Sequence, residues 1–212
     1  MEVTRRIRSA LRPYRLRWEP SFFKQKRTDK EYASGQWDHC EETSGAWVYG
    51  FVERYSRGGR ILDLGCGSGN TANEINSRSY THYTGVELSG VAIEKARQRS
   101  ERSGRGVKNI YVHSDILTYT PQQMFDLILL RESIYHIPQA KLKMTLDRYA
   151  RHLAPNGVFL AYLSRDGTSD VKKIVAWIEI NYHVVEKQRR EAPAVDAARF
   201  FGDAFVLVFR VA

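Results

Sequence analysis

Arg60-Ile61-Leu62-Asp63-Leu64-Gly65-Cys66-Gly67-Ser68-Gly69-Asn70 decides the fold: an apolar run ends in three alternating glycines, and an acid, Glu87, stands 22 residues beyond the first of them. A chain leaving a strand without Cβ atoms can turn tightly and let a ligand approach the start of the next helix. A carboxylate at the end of the following strand can accept two hydrogen bonds from a ribose diol. Together these features describe a nucleoside pocket.

Further along come Tyr83-Thr84-Gly85-Val86-Glu87-Leu88-Ser89, His113-Ser114-Asp115-Ile116 and Phe125-Asp126-Leu127-Ile128. With Asp63-Leu64-Gly65-Cys66-Gly67-Ser68-Gly69 they resemble the class I S-adenosylmethionine (SAM) dependent methyltransferases in motif, order and spacing, over roughly residues 30 to 165. The glycines run Gly-x-Gly-x-Gly behind Asp63, with Asn at position 70, which departs from the Gly-x-Gly-x-x-Gly of dinucleotide enzymes. The resemblance implies an α/β, Rossmann-like fold: a seven-stranded, mainly parallel sheet with an antiparallel last strand and helices on both faces. It implies SAM as cofactor and S-adenosylhomocysteine as its product. Carried over residue by residue, Gly65, Gly67 and Gly69 pass beside the amino acid end, and Asp63 fixes the ammonium directly or through water. Glu87 holds the ribose hydroxyls, Asp115 bonds the adenine amino group, and Leu88 and Ile116 wall the ring. Arg131, at the end of the fourth strand, is grouped with the cofactor residues. Asp115 also suits a turn or helix cap, Glu87 a solvated strand end, and Cys66 a small residue that fits.

The rest of the chain reads as alternating strands and helices, the signature of βαβ units. Strands are expected at 60–64, 82–86, 109–113, 125–130 and 158–163, the fourth apolar enough to be buried on both faces. One helix opens at Ser68-Gly69. Another follows a Ser89 cap with Val91, Ala92, Ile93 and Ala96 facing the sheet. A third, over 141–153, carries Leu142, Leu146, Tyr149 and Leu153 on one stripe and is stopped by Ala154-Pro155-Asn156-Gly157. A helix over 171–179 precedes extended runs at 182–187 and 204–211, which read as a hairpin across the polar stretch 188–203.

Composition fits this reading. The chain has 212 residues, 42% of them hydrophobic, enough for one continuous core. It shows neither a long apolar run nor a secretory pattern, so a cytoplasmic enzyme is expected. Two cysteines, Cys40 and Cys66, supply no disulfide framework, and the cluster Asp38-His39-Cys40-Glu41-Glu42 has no second half, so no metal site is expected.

Methyl transfer from a sulfonium needs in-line alignment above all, which can supply roughly 7–11 kcal/mol. A general base adds a factor of about 10² to 10⁴ where the acceptor is a hydroxyl. Candidates lie in Arg131-Glu132-Ser133-Ile134-Tyr135-His136-Ile137, beyond the carboxyl end of the fourth strand, where open α/β sheets keep their ligand crevice. His136 titrates nearest neutrality and is the first candidate, with Glu132 and Tyr135 beside it. In related enzymes a histidine there also serves only to tie the loop to the sheet. The segment has no Asn/Asp-Pro-Pro-Tyr sequence and no cysteine, unlike enzymes methylating adenine N6 or cytosine C5. It looks closer to relatives acting on small molecules and sugars, with oxygen or nitrogen favoured over carbon as acceptor.

The first 30 residues hold ten Lys/Arg against three acids, a local +7 of the chain's +9. Ile7, Leu11, Tyr14 and Trp18 fall on one helical face, interrupted by Pro13. Such a segment suits an anionic membrane surface, phosphate groups, or simple solvation. Tyr32-Ala33-Ser34-Gly35-Gln36-Trp37 is similar to a stretch of glycan-pathway methyltransferases that folds over the cofactor, which makes Tyr32 and Trp37 lid residues or, equally, core packing. Residues 1–45 are read as a basic extension and lid, and 46–212 as the SAM-binding domain. The leading expectation is methyl transfer to a small-molecule acceptor, a sugar, glycan or natural-product hydroxyl. The rivals are an RNA methyltransferase using the basic N-terminus, a non-catalytic SAM-binding subunit, and an aminopropyl transferase, the last opposed by the single acid after strand four. Nucleic acid is the weaker partner, since no RNA-binding module is recognisable. Oligomeric state is left open.

Overall fold

The computed structural model describes residues 20–38, 47–164, 169–191 and 204–211. The stripe Ile7, Leu11, Tyr14, Trp18 lies outside the described residues, as do His39 to Glu42 and most of the 188–203 connection. Two helices, α1 (Ser21–Ala33) and α2 (Val48–Ser56), lead into β1 (Arg60–Leu64), α3 (Asn70–Glu74), β2 (His82–Glu87), α4 (Gly90–Arg102) and β3 (Asn109–His113). Then follow β4 (Phe125–Arg131), α5 (Gln139–Ala150), β5 (Leu153–Leu163), α6 (Ser169–Asn181), β6 (His183–Arg190) and β7 (Ala204–Arg210).

The seven strands form one sheet in the order β3-β2-β1-β4-β5-β7-β6. β1 to β5 are parallel, and β7 runs antiparallel to both β5 and β6, so the expected mainly parallel sheet and closing hairpin are present. The apolar runs are explained by burial on both faces. Along β4, Ile128 and Leu130 join one core while Leu127 and Leu129 join the other, all four with 0% exposure. The same alternation divides Phe205, Leu207 and Phe209 from Val206 and Val208 on β7. Leu142, Leu146 and Tyr149 of α5, with Val175 and Ile178 of α6, cover the first face. Val48 and Val52 of α2, Ala72 of α3, and Ile93 and Ala96 of α4 cover the second.

Several boundaries shift by one to three residues from expectation, and two carry a local reason. The third expected helix spans Gln139–Ala150, and Leu153 opens β5 instead of closing the helical stripe. Leu153 pairs with Phe125, then Val158 pairs with Leu127, so Ala154 to Gly157 form an irregularity within the strand. Asn156 at φ 66° supplies the left-handed residue that this bulge needs. The Ser68-Gly69 helix starts one residue later, at Asn70, with Gly69 capping it at φ 77°. The Ser89 cap is as expected, its hydroxyl accepting from the Ala92 N–H.

The chain turns to opposite sides of β1, toward β2 and toward β4. The carboxyl ends of β1 and β4 therefore bound the crevice where open α/β sheets hold ligands.

Candidate active site

The crevice is built from the end of β1. Gly65 and Cys66 both donate their N–H groups to the Val86 carbonyl, at 2.8 and 3.1 Å, which pins the turn to β2. Gly65, Gly67 and Gly69 have φ of 84°, 54° and 77°, the left-handed region that L side chains avoid. Each is also crowded. A Cβ on Gly65 would sit 2.6 Å from Ser133 Cβ, and one on Gly67 would sit 2.7 Å from the Tyr32 hydroxyl. Gly85 on β2 makes the matching room for Cys66, whose Sγ would be 2.6 Å from any Cβ there.

Asp63 is 1% exposed. Tyr83 donates its hydroxyl to Oδ2, and among the described residues no donor reaches Oδ1. Burial pushes its pKa up to about 6, helped by the Glu87 charge and opposed by Tyr83, Arg131 and Thr71. A buried carboxylate oxygen without a donor, beside a glycine turn, is the environment an ammonium group completes. Glu87 ends β2, and its carboxylate accepts from the N–H groups of Leu88 (2.7 Å), Ser89 (3.0 Å) and Gly67 (3.2 Å). Burial raises its pKa, and those three N–H groups and Lys24 pull it down. The carboxylate thus clips the glycine turn to the end of β2. These residues fit the amino acid and ribose ends of SAM.

Asp115 realises the turn reading, its Oδ1 accepting the Leu117 N–H at 2.8 Å. Its Oδ2 accepts from the Ser21 hydroxyl at 2.5 Å, which brings the start of α1 to this end of the crevice. Ile116 is buried at 7% exposure, and its carbonyl accepts from Tyr149 and Arg148, so α5 braces this segment. Leu88 is partly buried. α1 is tied again where Ser89 donates to Asp29 Oδ1 at 2.6 Å, and it ends with Tyr32 over Gly67. Trp37 stands against Tyr32 with ring centroids 6.1 Å apart and donates to Glu31 at 3.3 Å. Tyr32 and Trp37, the aromatics expected as a lid, thus lie at and just past the end of α1, with Tyr32 beside Gly67.

Beyond β4, Glu132 has φ 55°, a strained conformation for a residue other than glycine. Its N–H donates to the Tyr162 carbonyl at 3.0 Å, and its carboxylate accepts the Ser164 hydroxyl. Burial raises its pKa, against the pull of Ser164, Tyr135 and Arg131. The Arg131 guanidinium lies 5.1 Å from the centre of the Tyr49 ring and acts on Asp63 and Glu132 together. Tyr135 is partly buried in a single 3-10 turn, Ile134–His136, and His136 is exposed at its end. The structure therefore brings Glu132 and Tyr135 together and leaves His136 on the outer rim.

Sequence reasoning missed Tyr83, Ser133, Ser164, Ser21 and Asp29. Ser21, Asp29 and Ser164 lie in no motif, and Ser133 was read only as part of the segment after β4. Tyr83 alone had a signal, a phenol two residues before Gly85 on a strand parallel to Asp63.

Comparison with known proteins agrees with this geometry. A family model described as a methyltransferase domain matches residues 61–157. Sterol 24-C-methyltransferase ERG6A of Gibberella zeae is 30% identical over 144 residues, covering 62% of this chain and 37% of that protein. The ubiquinone biosynthesis O-methyltransferase of Aromatoleum aromaticum is 31% identical over 112 residues, 51% of this chain and 46% of that protein. The chain thus spans less than half the length of these two relatives. Among solved structures, the N-methyltransferase NodS of Bradyrhizobium japonicum in complex with S-adenosylhomocysteine superposes with a TM-score of 0.63, at 19% identity, over 80% of this chain and 89% of that one. With the sheet order and the domain match in agreement, residues 61–157 of the chain are a methyltransferase domain on a Rossmann-like seven-stranded sheet.

Proposed function

We propose that this protein transfers a methyl group from SAM to a small-molecule acceptor, a hydroxyl of a sugar, glycan or natural product. The observation that carries the cofactor half is the donor-free Asp63 Oδ1, buried beside a left-handed glycine turn that Glu87 clips in place. Bound there, SAM supplies an already activated methyl. The chain's own residues bind and orient: Asp63 takes the ammonium, Glu87 the ribose, Asp115 the adenine edge, and Leu88 and Ile116 the ring faces. α1 with Tyr32 and Trp37 acts as a lid that excludes water. SAM binding to Asp115 displaces the Ser21 hydroxyl or shares the carboxylate with it.

The names of the relatives span carbon, oxygen and nitrogen acceptors, so they support a small molecule and leave the atom open. Oxygen is favoured by the carboxylate beyond β4. We place the general base at Glu132 ahead of His136, because Glu132 is partly buried, strained and held by Ser164 at the crevice, while His136 is exposed. Tyr135 positions that carboxylate. The base must be ionised, so the rate climbs as pH rises through the raised Glu132 pKa and then levels.

A radiolabelled methyl assay over sugar-nucleotide, lipid-linked glycan, phenolic and RNA pools tests the reading, with Glu132→Gln and His136→Ala beside the parent. The expected result is label in a hydroxyl-bearing small molecule. Glu132→Gln lowers kcat by a factor of about 10² to 10⁴ with SAM affinity kept. Label in RNA alone would overturn the acceptor. If His136→Ala carries the loss and Glu132→Gln does not, the base assignment reverts to His136.

A further inference from the structure

α1 has two working faces. Ser21, Asp29 and Tyr32 point into the crevice, where each contacts a residue of the candidate site or the start of α4. Next to that face and turning away from it, Phe22, Lys26 and Lys30 recur at four-residue spacing, with Phe23 alongside, and all four are exposed. Phe22 is 58% and Phe23 60% exposed, ring against ring at 5.6 Å, with the Lys26 ammonium 4.4 Å from the centre of the Phe22 ring. Two adjacent phenylalanines held out to water beside lysines form no part of the domain's core. The same end of the chain carries +7 of the total +9.

We propose that the outward stripe of α1 docks the protein onto an anionic lipid bilayer. Phe22 and Phe23 enter the boundary between headgroups and acyl chains, and Lys26 and Lys30 stay at the phosphates, the arrangement that interfacial amphipathic helices use. The basic residues before α1 add long-range attraction to the same surface. Docking sets the crevice beside the bilayer, because the adjoining face of the same helix contacts it. Acceptors carried in or on the membrane then reach the site without crossing water. The docking rests on the stripe and its charge, and its test is read independently of methyl transfer.

The full chain is sedimented with vesicles of phosphatidylcholine alone and of phosphatidylcholine with phosphatidylglycerol, and a polyuridylate RNA is titrated in parallel. Binding is expected to the anionic vesicles only, and to weaken as salt rises from about 0.1 M to about 0.5 M. Phe22→Ala with Phe23→Ala, and separately Lys26→Glu with Lys30→Glu, are each expected to lower vesicle partitioning about tenfold while SAM affinity stays unchanged. Equal binding to neutral vesicles would overturn the proposal. So would anionic binding that survives both variants, which would assign it to residues before α1, and so would binding to the RNA without binding to vesicles.

Discussion

Asp63→Asn separates the cost of the site from its use. Burial lifts the Asp63 pKa from 3.8 to about 6. Each unit is about 1.4 kcal/mol, so ionising this carboxyl costs the cofactor-free fold about 3 kcal/mol once the pH is above 6. The stability is present in full below the unfolded pKa and is lost as pH rises through the folded one. Asparagine cannot ionise, but its amide places an unpartnered donor near the Oδ1 position, which costs about 1–3 kcal/mol at every pH. The informative quantity is therefore the change in the stability difference between variant and parent from pH 4 to pH 8, where the constant penalty cancels. That change should favour the variant by about 2 kcal/mol at pH 8, with half of Asp63's unfolded-state ionisation already present at pH 4. Urea unfolding of both proteins without cofactor, at pH 4, 6 and 8, measures it. A difference that stays constant across that range would show that Asp63 is not a strained carboxylate and would remove the reason to place an ammonium there.

Other consequences follow from the same geometry. SAM affinity of the parent should fall up to about tenfold per pH unit below 6, because an ammonium needs Asp63 ionised, and calorimetry at pH 5 and 7.5 detects this; a flat profile would contradict it. Gly65→Ala should destabilise by clearly more than Gly58→Ala. Both are left-handed, at a cost of about 1–2 kcal/mol, but only Gly65 meets a side chain, Ser133 Cβ, while nothing lies within 4 Å of a Cβ on Gly58. Equal losses in thermal unfolding would mean that the Gly65 turn is not crowded. Leu129→Ala, at 0% exposure in the central strand, should cost about 2–5 kcal/mol in urea unfolding, and a loss under 1 kcal/mol would deny β4 its two-sided burial.

The sheet was legible because β4 and β7 carry unbroken apolar runs, Leu127 to Leu130 and Phe205 to Phe209, which only a strand covered on both faces requires, and because glycines and turn residues punctuate the rest. Boundaries were less so. Pro155 and Gly157 look like a helix stop and a loop, and nothing local tells that Leu153 already pairs with Phe125 across a bulge. The cofactor residues were legible where the backbone itself is constrained, at Gly65, Gly67, Gly69 and the strand-end acids. Partners supplied from far along the chain were not: Ser21 lies 94 residues from Asp115, and Tyr83 and Ser164 become visible only when strands are laid side by side. The preference for His136 came from its intrinsic pKa, a property of the free side chain. Glu132 gains its weight from burial and a left-handed backbone, neither of which a sequence displays.

Calorimetric titration of the purified chain with SAM and with S-adenosylhomocysteine, beside Glu87→Ala, tests the central claim most directly. The account predicts saturable one-site binding of both ligands and a loss of about a hundredfold or more in the variant, since two charge-assisted hydrogen bonds to the ribose are removed. No binding of either ligand, or binding that Glu87→Ala leaves unchanged, would contradict it.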